Sequence, residues 1–237
     1  MKKSLSLLAI CLASVQANAE LEVGAIRVLF LGHESEHHNS NKFYPMLAKA
    51  LGRDAIYFDY VTSVEEALGD AAYLNKFDAL LLYANHGRIT PGQWKNLKGY
   101  VEGGGGFVPV HCASWCFGNE PGFDQLVGGR FASHKTGIFT AKVVDPKHPA
   151  MAGVKEFEAW DETYKHRNHN KKDRQVLMVR EVTENGDNIT EPEPWTWART
   201  QGKGRVFYTA SGHDESCLLY TSPSPRDATL SRMPSSA

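Results

Sequence analysis

Four apolar runs that each end on a histidine constrain this chain more than any other feature. Ala25–Gly32 leads to His33, Phe77–Ala84 to Asn85-His86, Phe107–Val110 to His111, and Arg205–Ala210 to Ser211-Gly212-His213. Runs this continuous suit strands of a parallel sheet covered on both faces. Helical patterns separate the early runs. Phe43, Met46, Leu47, Ala50 and Leu51 recur at helical spacing before Gly52, and Ser63 caps a second helix after a strand over Ala55–Val61. Thr90-Pro91-Gly92-Gln93 opens a third with a capping box and a first-turn proline.

Strands alternating with helices predict a doubly wound α/β sheet. After Gly128-Gly129-Arg130-Phe131 the alternation stops. Ile138–Val144, Gln175–Val182 and Arg205–Ala210 read as strands joined only by loops, an antiparallel extension of the sheet. No linker or repeat divides the chain, so one domain is expected over residues 20–217.

The two ends read differently. Met1-Lys2-Lys3, the apolar stretch Leu5–Ala13 and Ala17-Asn18-Ala19 form a signal-peptide pattern over residues 1–19, with Glu20 as the mature start. Ile10 before Cys11 does not suit a lipidation box, so a secreted or periplasmic protein with no remaining membrane attachment is expected. Residues 218–237 are rich in Ser, Pro and Arg without periodicity, which predicts a disordered tail. That segment resembles translated adaptor sequence, and the native C-terminus is expected to be missing.

Between the ends, 22 basic residues face 26 acidic ones, which gives no electrostatic footprint for nucleic acid or an anionic membrane. Cys11 leaves with the signal and Cys217 sits at the junction with the tail, so Cys112 and Cys116 remain, no basis for a disulfide framework.

Chemistry is expected at the strand ends. In open α/β sheets, ligands bind outside the carboxyl ends of the strands, so parallel strands would bring His33, His86, His111 and His213 to one rim. Imidazole suits both metal binding and proton transfer near neutral pH. The expected ligands of a divalent ion such as Zn²⁺ are His33, His111, His134 and His213, with His111, His213, Asp161 and Glu162 as catalytic groups. His86 and Asn85 are expected to contact substrate.

Trp195 and Trp197, alternating in Pro194-Trp195-Thr196-Trp197, fit a core as well as a sugar-stacking platform. His37-His38 reads as a solvated loop pair, and His166 and His169 with Lys171-Lys172 as an exposed turn. The run Gly103–Gly106 precedes a strand rather than following one, so no nucleotide cofactor is expected. There is no G-x-S-x-G motif.

Taken as a set, several motifs are similar to those of the ThuA-like family, named for trehalose utilisation and related in fold to class I glutamine amidotransferases. They are Gly32-His33, Gly104-Gly105-Gly106-Phe107-Val108-Pro109-Val110-His111, Gly128-Gly129-Arg130-Phe131-x-x-His134, His148-Pro149, Asp161-Glu162-x-Tyr164, and Gly202-Lys203-Gly204-Arg205-Val206 leading to Gly212-His213-Asp214. The resemblance implies a flavodoxin-like three-layer sandwich and a role in sugar catabolism, including keto-disaccharides.

Two departures stand out: Cys112 stands where a small residue is usual, and the helix after the His-Asp strand is expected to be lost. Amidotransferases of this fold carry a nucleophilic Cys on the elbow after the fourth strand. Here His111 takes that place, so glutamine hydrolysis is not expected. Two functions stay open: a metal-assisted hydrolase, lyase or isomerase acting on a small carbohydrate, and a non-catalytic sugar-binding module. A homo-oligomer is compatible with either.

Overall fold

The computed structural model describes residues 24–183 and 189–221. The signal segment 1–19 and tail residues 222–237 lie outside the described residues. In chain order the first half holds β1 (Ile26–Leu31), α1 (Ser40–Leu51), β2 (Ile56–Val61), α2 (Val64–Leu68), α3 (Ala71–Leu74), β3 (Ala79–Leu82), α4 (Pro91–Gly103), β4 (Gly106–Pro109) and α5 (Pro121–Val127). The second half holds β5 (Arg130–Ser133), β6 (Thr136–Val143), β7 (Phe157–Glu162), β8 (Lys165–Arg167), β9 (Arg174–Arg180), β10 (Glu193–Gln201), β11 (Gly204–Thr209) and α6 (Glu215–Thr221).

Nine strands form one sheet in the order β2-β1-β3-β4-β11-β10-β9-β6-β7, and β5 pairs with β8 in a separate ribbon. The five strands from β2 to β11 run parallel, and the remaining four continue antiparallel. This is the flavodoxin-like sandwich with its antiparallel extension. β11 joins the parallel half, registering Val206 against Phe107, so its exit lies on the same rim as those of β1, β3 and β4.

Local chemistry explains the helices that frame this rim. The Thr90 hydroxyl accepts from Gln93 N–H while the Gln93 side chain accepts from Thr90 N–H, which closes the capping box of α4. Gly104 ends that helix at φ 124°, a conformation costly for a side chain, and releases the chain into β4. Leu97, Val101, Phe107, Phe123 and Leu126 pack on one face of the sheet. Phe30, Phe43, Leu47, Tyr83, Cys112 and Leu218 pack on the other.

Leu218 corrects the expected boundary. The helix α6 is present, runs through Thr221 and buries Leu218 against β1 and α1 residues, so the fold continues past residue 217. An apolar side chain that finds a core cavity is ordered by it, whatever the composition that follows.

The sheet also curls. Three strands separate β7 from β11, yet the Asp161 carboxylate of β7 accepts from Gly212 N–H at 2.9 Å and His213 N–H at 3.2 Å. This brings the edge strand back against the exit of β11.

Candidate metal centre

His111 sits at the turn where β4 ends. Its φ of 50° places it in the left-handed region, which a residue with a side chain occupies only when its surroundings enforce it. A tight turn over His111–Trp115 follows. The sharp turn drives the His111 ring inward, fully buried, where its Nδ1 lies 2.6 Å from the Ala210 carbonyl. A carbonyl only accepts, so Nδ1 carries a proton, and in the neutral ring Nε2 presents a lone pair.

Three groups converge on that lone pair. His38 Nε2 and Glu162 Oε2 each stand 3.1 Å from His111 Nε2, and they are 3.3 Å from each other. His213 Nδ1 lies 3.1 Å from Glu162 Oε1 and 3.4 Å from His38 Nε2. Ligands about 2.0–2.1 Å from a tetrahedral Zn²⁺ stand roughly 3.3–3.4 Å apart. The closest donor pairs approach that spacing, all four ligand atoms lie within 4.8 Å of one another, and the cluster could hold a metal. The Nδ1–H···O=C bond on His111 is the kind of outer contact that fixes a metal-binding tautomer.

Electrostatics agree with the geometry. Burial opposes ionisation of Glu162, but the imidazoles of His111, His213 and His38 gathered around it hold its carboxyl far below the usual carboxylate range. The hydrogen bond to Glu162 raises His213. Burial lowers His38 despite the same carboxylate.

The sequence-derived site is partly redrawn. His111, His213 and Glu162 belong to the cluster. Asp161 stands behind it, its carboxylate taken up by the backbone N–H groups of Glu162, Gly212 and His213. His33 is at the rim but not among the converging donors, because its Nε2 is spent on the His38 carbonyl at 3.0 Å. His134 also falls short of the cluster, with Nδ1 3.7 Å from Glu162 Oε1 and the side chain 38% exposed. His86 donates to the Gly32 carbonyl, and Asn85 is half-buried beside it.

Trp195 and Trp197 are fully buried, which removes them as a stacking platform. Their indole N–H groups donate to Ser211 Oγ and the Val127 carbonyl.

His38 was missed as a candidate ligand, and the loop pair containing it is not simply solvated. Asn39 caps α1, His33 holds the His38 carbonyl, and Ser40 donates to the Tyr83 carbonyl, so the loop is pinned on both sides of His38. The signal available in the sequence was Asn39 itself, a favoured cap placed four residues ahead of the helix start read at Phe43. His166 is likewise not exposed. Its ring is buried between Glu193 Oε1 at 3.0 Å and the Tyr208 hydroxyl at 2.9 Å.

Cys112 is buried and its thiol is pushed up by that burial. It packs against Phe30, Tyr83 and Leu218.

Fold and rim together define a flavodoxin-like α/β protein with a candidate divalent-metal centre at the carboxyl ends of its parallel strands. The sequence matches the ThuA family, described as trehalose utilisation, over residues 27–231, and the chain belongs to that family. Its family ties it to carbohydrate metabolism. No curated protein matches the sequence.

Among solved structures it is similar to a ThuA-like protein of Bacteroides uniformis, with TM-score 0.69, 17% identity, and coverage of 87% of this chain and 89% of that one. A ThuA-like protein of Parabacteroides merdae gives TM-score 0.69 and 16% identity over 89% and 94% of the two chains. A β-galactosidase of Bacillus circulans contains a similar fold, with TM-score 0.53 and 15% identity over 84% of this chain and 30% of that one. Among the described residues, no helix is long and apolar enough to cross a membrane.

Proposed function

We propose that this chain is an exported, metal-assisted enzyme of carbohydrate catabolism, a hydrolase, lyase or isomerase acting on a small neutral disaccharide or keto-glycoside. The observation that carries the reading is the arrangement around His111. Its Nδ1 proton is committed to Ala210, and its Nε2 faces a carboxylate oxygen and a second imidazole nitrogen, each at 3.1 Å. Electron-rich atoms held this close need a proton or a cation among them, and the set of three imidazoles and a carboxylate suits a divalent ion.

His38, His111, Glu162 and His213 would hold the ion. Bound there, a divalent ion supplies Lewis acidity toward a sugar hydroxyl or carbonyl. Glu162 contributes charge and orients His213 rather than acting as an acid, since its carboxyl is held ionised. His134 reaches from the mouth toward Glu162 and is placed to carry a proton to or from a bound sugar oxygen. Asp161 anchors the Gly212-His213 backbone and keeps His213 on station. The rival reading, a non-catalytic sugar-binding module, would have to use a surface other than Trp195 and Trp197, which are buried.

The test is a screen of the purified full chain, loaded with Zn²⁺ or Mn²⁺ or stripped with EDTA, against trehalose, other disaccharides and their keto derivatives. Turnover by the loaded protein that disappears in the stripped protein and in His111→Ala supports the proposal. Turnover indifferent to both contradicts it.

A further inference from the structure

We infer that Trp160 is the stacking face of a sugar subsite at the lip of the centre. The inference rests on the carbohydrate reading above and names the surface that would hold the sugar. Strand alternation on β7 turns Asp161 inward, 1% exposed, and Trp160 outward, 46% exposed. The Trp160 ring lies 5.8 Å from the ring of His213, one of the four converging donors.

Its backbone is fixed on both sides. Trp160 registers against Ile138 of β6, and its carbonyl accepts from the Cys217 thiol at 3.2 Å. A large indole held rigid, half in water and against a half-buried site histidine, is apolar area that a ligand would cover.

A pyranose ring matches that surface. It offers an apolar C–H face to an aromatic ring, while hydroxyls at its edge remain for polar partners. With one sugar unit on Trp160, the adjoining unit is directed toward His213 and Glu162. Trp115 marks a second exposed indole, 43% exposed, at the end of the turn that begins with His111. The ligand class is therefore a neutral di- or oligosaccharide, bound by stacking next to the donor cluster.

The experiment is a titration of the full chain with trehalose and with cellobiose, followed by calorimetry and by intrinsic tryptophan fluorescence, with and without Zn²⁺. Trp160→Ala should weaken sugar binding about tenfold, Trp160→Phe should restore most of it, and Zn²⁺ affinity should stay within a few-fold of wild type in both. Sugar binding by Trp160→Ala equal to wild type would overturn the subsite and leave the carbohydrate reading standing. Failure of the wild-type chain to bind either sugar, with Zn²⁺ still bound, would overturn both. A self-association seen for the wild type and lost in Trp160→Ala, with sugar binding intact, would assign the Ile138–Trp160 patch to contact between copies and overturn the subsite.

Discussion

The Nε2 atoms of His38 and His111 stand 3.1 Å apart, although 73 positions separate them along the chain. One comes from the loop that caps α1, the other from a strained turn at the end of β4. Both face Glu162 Oε2. Only a shared proton or a cation relieves three electron-rich atoms at this spacing, and the tautomer of His111 set by Ala210 withholds one of the protons.

His111 and its neighbour should separate cleanly by mutation. His111→Ala removes a donor and is expected to abolish metal binding and turnover while leaving the fold in place. Cys112→Ala deletes a buried sulfur, at a cost of ~1 kcal/mol by the usual run of single substitutions, and should leave both near normal. Metal stoichiometry and a urea titration on each variant check this. Loss of activity on alkylating Cys112, with His111→Ala still active, would restore a thiol nucleophile.

Trp197 is expected to behave as core. Truncating it to Ala should destabilise the chain by about 3–5 kcal/mol, because a fully buried large ring leaves a cavity. A urea midpoint close to wild type, with sugar binding lost, would instead mark it as a stacking platform.

Tyr208 ties the centre to a buried polar relay. Its hydroxyl stands 2.9 Å from His166 Nε2, 3.0 Å from Ser114 Oγ and 3.2 Å from the His111 carbonyl. Tyr208→Phe loosens the turn that holds His111 at positive φ. We expect Zn²⁺ affinity to fall roughly 10-fold, the effect of losing an outer contact. An unchanged affinity, measured by competition with a chromogenic chelator, would show that the turn holds without it.

Acid should destabilise the fold at an early point. Burial lowers His33, His86 and His166, so the unfolded chain takes up their protons near 6.5 while the folded chain resists. Each therefore costs stability as pH falls below 6.5. His213 has the opposite sign. Its hydrogen bond to Glu162 raises it, so its contribution is full below 6.5 and is lost as pH climbs through the raised value. Burial lowers His38, His148 and His169 in the same way, and six lowered groups against one raised predict that the urea midpoint of the metal-free chain falls between pH 7 and pH 5. A flat profile would mean that these imidazoles are not held neutral.

Much of the centre was legible because strand ends are where a doubly wound sheet exposes its loops. The runs ending on His111 and His213 identify two of the four donors, and Asp161-Glu162 supplies a third. His38 was harder to read. The apolar spacing begins only at Phe43, which leaves the true cap at Asn39 in apparent loop.

His166 is flanked by Lys165 and Arg167, so nothing apolar signals burial. Its cover comes from Trp197 and Tyr208 on strands far along the chain. Alternation places Trp195 and Trp197 on one face of β10, but the partners that bury that face, Val127 and Ser211, are set by topology and not by local pattern.

The most direct test is a calorimetric titration of the metal-free full chain with Zn²⁺ and with Mn²⁺, beside Glu162→Gln. The account predicts one ion per chain, protons released on binding, and loss of that binding in the variant. No binding by the wild type, or equal binding by Glu162→Gln, would contradict it.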